Sequence, residues 1–181
     1  QIAGERLFNP AFLNDDDSFQ DYIDQVSVNT KAMQWGADQE DAAKRLFMDM
    51  NFPDGEIVEL SSCKHDTIPH FAASPDGAIY GRDGGDIRII EVKCPNINTY
   101  MKYRTLIHDA ESLKDTEPKY YWQMMAEMSC TNAKSGIFIT YCPWLSKPIH
   151  WAEIERNEED IKLMEDRVVL ANKFIEEIIN K

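Results

Sequence analysis

Eight residues, Ile87-Arg-Ile-Ile-Glu-Val-Lys-Cys94, constrain the chain more than any other stretch. The run is rich in β-branched side chains, which suit a pleated surface, and Pro95 stops it. Asp83-Gly84-Gly85 just ahead is a strong hairpin signal, so the run is expected to fold back beside Ala78-Ile79-Tyr80. Strand alternation puts Ile87, Ile89, Glu91 and Lys93 on one face and Arg88, Ile90, Val92 and Cys94 on the other. Glu91 and Lys93 therefore project together from the end of an otherwise apolar strand. A charge pair there is costly unless something uses it, although a satisfied salt bridge would leave the same trace.

The remaining elements follow from periodicity. Phe19, Tyr22, Ile23 and Val26 recur at helical spacing, with capping groups between Asp15 and Ser18. Ala32, Met33, Ala43, Leu46, Phe47 and Met50 mark a helix over residues 30–50, interrupted by Gly36 and ended by Pro53-Asp54-Gly55. Residues 56–61 and 68–74 read as strands, and residues 99–114 as one amphipathic helix with weak caps. Thr116-Glu117-Pro118 opens the next helix, with Thr116 as capping oxygen and Tyr121, Met124, Met125 and Met128 as its apolar face. Residues 136–142 and 148–154 are further strands. Asn157 caps a last helix whose buried face would run through Ile161, Met164, Val168, Ala171, Phe174 and Ile178. This order predicts one α/β domain over residues 1–181, a mixed sheet flanked by helices.

Charge and cysteine content exclude several functions. Nineteen Lys and Arg against 32 Asp and Glu give a net charge of −13, which is opposite to that of a protein coating DNA by charge alone. Cys63, Cys94, Cys130 and Cys142 form no Cys-x-x-Cys pair, which disfavours zinc and iron–sulfur sites; all four are expected to be buried, reduced thiols. No apolar run reaches membrane-spanning length. A cytoplasmic location is expected.

Asp76 gives the Glu91–Lys93 pair a possible purpose. It sits in the turn Ser74-Pro75-Asp76-Gly77 entering the strand that the hairpin brings beside residues 87–94. Pro-Asp-Gly is also a common turn in its own right. Two carboxylates about 5 Å apart repel by about 3 kcal/mol at an effective dielectric near 20, which calls for a shared proton or a divalent cation. Hard oxygen ligands suit Mg²⁺ or Mn²⁺. Glu40 lies three and seven positions before Ala43 and Phe47 and so projects from their apolar face; a first-turn helix acid would look alike. Gln123 shares a side with Tyr120 and Glu127, away from the Met face, where a solvated Gln is equally at home.

The combination Ser74-Pro75-Asp76-Gly77, Glu91-Val92-Lys93-Cys94-Pro95 and Tyr120-Tyr121-Trp122-Gln123 resembles the phage lambda-type exonuclease (YqaJ-like viral recombinase) family of PD-(D/E)XK nucleases. Trp35-Gly36, Glu40 and Ala43 upstream, with His150-Trp151 through Arg156 downstream, fit the same pattern over residues 18–181. The resemblance implies a restriction-endonuclease-like core and a 5′→3′ exonuclease on double-stranded DNA ends. It implies one Mg²⁺ at Asp76, Glu91 and the Val92 carbonyl and a second near Glu40, with Mn²⁺ able to substitute. Lys93 would orient or deprotonate water, its pKa lowered by the cation; Gln123 would orient water or phosphate; Ser74 would hold a phosphate oxygen. Lys102 and Arg104 are candidate DNA contacts, although a solvated helix face explains them as well.

Family members act as homotrimeric rings, encoded by phage or prophage and accompanied by a single-strand annealing recombinase. A ring holds DNA by topology, which would reconcile DNA binding with −13. The family's Arg and Thr-x-Ser segment, which binds the 5′-phosphate, would lie ahead of Gln1-Ile2-Ala3, so that segment is expected to be missing from this sequence. Two other readings stay open: a different PD-(D/E)XK deoxyribonuclease (endonuclease or RecB-like), and a non-catalytic acidic interaction protein.

Overall fold

The computed structural model describes residues 5–26, 31–81 and 86–181, with the backbone alone at residues 10 and 31–33. Helices α1 (Pro10–Leu13), α2 (Asp16–Val26) and α3 (Lys31–Asn51) precede a small ribbon of β1 (Cys63–Lys64) and β2 (Ala72–Ala73). Strands β3 (Gly77–Tyr80) and β4 (Ile87–Lys93) follow, then helices α4 (Ile97–Leu106), α5 (Ala110–Thr116) and α6 (Pro118–Thr131). The chain ends with β5 (Ser135–Tyr141), β6 (Ile149–Glu155) and α7 (Glu158–Ile179).

The main sheet has the order β3-β4-β5-β6. β4 pairs antiparallel with β3 and parallel with β5, while β5 and β6 are antiparallel. A parallel pair needs a long crossover, and α4 to α6 supply it. The two faces of β4 are buried in different cores. Ile90 and Val92 pack with Ala43, Phe47 and Met48 of α3. Ile89 packs with Tyr121, Met124, Met125 and Met128 of α6. Burial on both faces explains why β4 tolerates so few polar positions. Gly136 of β5 lets α6 come close, because a Cβ there would lie 2.6 Å from Met124 Cε and 2.8 Å from Ile89 Cδ1.

Several local expectations are corrected. Residues 56–61 form no strand; only Val58 bridges Ala78, exchanging hydrogen bonds of 2.8 and 2.9 Å on the outer edge of β3. The expected strand over 68–74 shrinks to Ala72–Ala73, since Pro69 and His70, with φ of 59°, break the extended run. Residues 99–114 are two helices. Asn96 caps α4, and Asp109 and Ser112 form a capping box for α5 after Ile107 has turned extended. Glu117, not Thr116, occupies the cap position of α6, without a side-chain bond, and Pro118 opens the helix.

On α7, Ile161 is buried, whereas Phe174 and Ile178 are exposed. The helix outruns the sheet, and its buried position near the far end is Asn172, which accepts from Arg6 at 2.6 Å and donates to the Pro69 carbonyl at 2.7 Å. All four cysteines are free thiols, but only Cys130 and Cys142 are fully buried. The Asp83-Gly84-Gly85 turn and the Ala32 and Met33 side chains lie outside the described residues. Among the described residues no helix is long and apolar enough to cross a membrane.

Gly136→Val should lower folding stability by about 1–3 kcal/mol, the usual cost of overpacking a filled layer. The layer is the Met124–Ile89 contact over β5, and a thermal or urea melt beside wild type measures the loss.

Candidate active site

Backbone pairing brings the site together. The ladder between β3 and β4 begins at Gly77 opposite Ile90, which leaves Asp76 one step beyond it, beside Glu91. The Asp76 N–H donates to the Ile90 carbonyl at 3.0 Å, and the Asp76 carboxylate accepts the Val92 N–H at 2.7 Å. A carboxylate thus replaces a backbone carbonyl in the ladder. Burial, then the neighbouring Glu91 charge, pushes the Asp76 carboxyl up to about 6.

Glu91 leaves the opposite face of β4 from Val92 and reaches the α6 layer. It is fully buried, and its Oε1 accepts from Gln123 Nε2 at 2.8 Å and pairs with Lys93 Nζ. Its Oε2 is buried and receives no N–H or hydroxyl donor. Burial works against the Lys93 charge, but the Glu91 carboxylate outweighs it and the pKa is raised. The carboxylate is here the nearest charge to the ammonium. The Lys93 ammonium also lies 5.0 Å from the Tyr120 ring centroid.

Glu127 was seen in the sequence only as a neighbour of Gln123, yet it is a buried member of the cluster. It lies one turn along α6, and Gln123 Nε2 donates to its Oε1 at 2.9 Å. Its own Oε2 is likewise buried without an N–H or hydroxyl donor. Burial, and next the Glu91 charge, holds its carboxyl well above the usual carboxylate range. The Glu127 carboxyl also lies within hydrogen-bond reach of the Glu91 carboxylate.

Glu40 stands on the α3 wall, half-buried, with its carboxylate 2.6 Å from Lys44 Nζ. Lys44 was not singled out from the sequence, although its place one turn after Glu40 was the available signal. It is 7% exposed and also donates to the Asp76 carbonyl at 2.7 Å. Gly36, Ala37, Glu40, Asp76, Val92, Lys93, Cys94, Pro95 and Tyr120 line a cleft of about 460 Å³. Glu91, Gln123 and Glu127 form the layer beneath.

Three predicted residues stand apart. Ser74 is exposed and does not line the cleft. Lys102 pairs with Glu117 at 2.9 Å, and Arg104 donates to the Lys147 carbonyl at 3.2 Å, so both cationic ends are engaged.

The donor set suits a hard divalent cation. Asp76 offers a carboxylate at the cleft, and the adjoining strand carries the Glu91 carboxylate, whose Oε2 receives no N–H or hydroxyl donor. Among the described residues no three His, Cys, Asp or Glu side chains stand ready as a closed cage. Glu91 is turned towards Lys93 and Gln123 instead.

A mixed sheet between helical layers, with Asp, Glu and Lys gathered at the ends of β3 and β4, is the core of the PD-(D/E)XK nuclease class. Within that class the chain belongs to the family of YqaJ-like viral recombinase domains, whose model matches residues 12–134. The fold is similar to that of an alkaline exonuclease (LHK-Exo) from Laribacter hongkongensis, at a TM-score of 0.69 and 26% identity, covering 88% of this chain and 76% of that one. The same exonuclease in complex with dAMP matches at 0.69 and 28% identity, over 85% and 73% of the two chains. A phage-related exonuclease from Haemophilus somnus 129PT shares the fold at 0.64 and 16% identity, over 86% and 75%. No protein with a curated description matches the sequence.

The raised Glu127 carboxyl fixes a pH trend. A carboxyl whose folded pKa exceeds its unfolded value, about 4.3, contributes most below that value and loses its contribution as pH rises through the folded one. Glu127→Gln should therefore melt at a higher temperature than wild type at alkaline pH, with the gap closing towards acid. Thermal midpoints across that range measure it.

Proposed function

We propose that the chain is a metal-dependent exonuclease that degrades one strand of linear double-stranded DNA in the 5′→3′ direction. It would release 5′-mononucleotides and leave 3′ overhangs for phage-type recombination. The observation that carries the reading is the gathering of Asp76, Glu91 and Lys93 at one sheet end. Membership of a viral recombinase family and likeness to an alkaline exonuclease support it.

Asp76, Glu91 and the Val92 carbonyl would hold Mg²⁺ or Mn²⁺, which when bound supplies an activated water and offsets charge at phosphorus. The chain's own groups do the rest. The Val92 N–H holds Asp76 in place, and Gln123 fixes Glu91 from below. Lys93, held beside Glu91, would orient or deprotonate the water and steady the phosphate's developing charge. A homotrimeric ring and a single-strand annealing recombinase partner belong to the same proposal, as does a cytoplasmic site of action.

The test is digestion of end-labelled linear duplex with Mg²⁺, comparing 5′-phosphate with 5′-hydroxyl ends and adding a closed circle. Labelled 5′-mononucleotides from linear DNA, with the circle intact, are expected. Cutting of the circle would instead indicate an endonuclease of the same class.

Two substitutions separate the roles. Lys93→Ala should cut cleavage by about 10²–10⁴-fold while Mn²⁺ still binds, the scale on which a positioned charged or proton-handling group contributes. Asp76→Ala should lose both cleavage and Mn²⁺, read by calorimetric titration beside the assay. Near-normal cleavage by Lys93→Ala would return that pair to a plain strand-end salt bridge.

The Asp76 carboxyl at about 6 adds a pH dependence. Its proton must leave before a cation binds, so Mn²⁺ affinity should fall about tenfold from about pH 7 to about pH 5. Asp76→Asn should bind weakly at both.

A further inference from the structure

Glu40 is the residue to which the family resemblance assigns a second cation, and in this chain it already has one. Lys44 Nζ lies 2.6 Å from Glu40 Oε1, 2.7 Å from the Asp76 carbonyl and 3.5 Å from Glu59 Oε1. An ammonium has three donors, and here three oxygens face it from three separate segments: α3, the stretch after α3, and the turn into β3. The Lys44 side chain is 9% exposed, against 29% for Glu40. This is a buried cation with two close partners and a third at the margin of contact, not a surface pair held loosely by solvent.

We propose that the Lys44 ammonium occupies the place of the second cation beside Glu40, so that each chain binds one divalent cation, at Asp76 and Glu91, instead of two. The proposal rests on the nuclease reading and deepens it.

The geometry argues against both ions being present together. A dication on Glu40 would share that carboxylate with an ammonium, as one at Glu91 would with Lys93; what sets Lys44 apart is that it is also tied to a backbone carbonyl, that of Asp76. Moving Lys44 aside would strip the Asp76 carbonyl of the bond it makes at 2.7 Å, in the same turn that presents the Asp76 carboxylate. Lys44 is placed where its helix position dictates, since residues four apart lie on one face. The pairing is thus built into α3 and does not depend on the substrate.

Calorimetric titration of the metal-free full chain with Mn²⁺, with electron paramagnetic resonance of the loaded protein, reads the count without any reference to cleavage. Wild type should take up one Mn²⁺ and show an uncoupled single-ion spectrum. Lys44→Met, which keeps the stem and removes the charge, should take up two, and Lys44→Arg one. Glu40→Gln should keep the single site with affinity within about threefold of wild type, because Glu40 is not a ligand of that ion. Two Mn²⁺ per wild-type chain would overturn the proposal, whether or not Lys44→Met folds. So would a single ion in a folded Lys44→Met, or loss of the ion in Glu40→Gln. No Mn²⁺ in wild type would overturn the nuclease reading and this inference with it, whereas two would leave that reading standing.

Discussion

The Val92 N–H to Asp76 carboxylate bond is the constraint on which the cleft depends. It extends the β3–β4 ladder past its last backbone pair and uses a side chain to do so. The same stroke fixes the carboxylate against the strand that carries Glu91 and Lys93. Below, the Gln123 amide ties Glu91 to Glu127; beside it, Lys44 ties the Asp76 carbonyl to Glu40. Asp76 and Glu91 are thus held by donors from another element, and Glu40 and Glu127 by donors one turn away on their own helices, so their mutual repulsion is absorbed without loosening the sheet.

The parts of the fold that packing decides were legible in the sequence. β4, β5, β6 and the long helices α3, α6 and α7 all carry a period that burial enforces, and each was read close to its true bounds. Failures fall where no core enforces a period. Residues 56–61 alternate like a strand but find only one bridge partner, at Ala78. The break between α4 and α5 is set by the Asp109–Ser112 capping box, a local hydrogen-bond choice that an amphipathic pattern hides. The far end of α7 keeps a helical apolar stripe although nothing among the described residues covers Phe174 or Ile178.

The site was legible in the same uneven way. Asp76, Glu91 and Lys93 could be gathered from strand alternation and a turn, because both are short-range geometry. Gln123 meets Glu91 in line with the resemblance, whereas its helix face alone was equally suited to a solvated Gln. Lys44 and Glu127 were not read as members of the cluster, for one reason: each lies one helical turn after a residue already singled out, and a charged residue at that spacing ordinarily signals a solvated pair. Burial, which the sequence did not show, separates these two from that case. Ser74, Lys102 and Arg104 were drawn from resemblance and from charge, and neither places a side chain.

The alternation of β4 also bears on which insertions and deletions this chain could accept during divergence. Even-numbered Ile90 and Val92 face α3, and odd-numbered Ile89 and Glu91 face α6. One residue gained or lost within Ile87–Val92 would exchange the two sets, sending isoleucine and valine to the acid cluster and burying Glu91 against Phe47. Packing and chemistry would be lost in one event. The stretch between Tyr141 and Ile149 joins two antiparallel strands at the sheet's end, so a length change there leaves the frame of both strands intact. Length variation in this domain should accordingly collect in such connections, while β4 changes only by replacement.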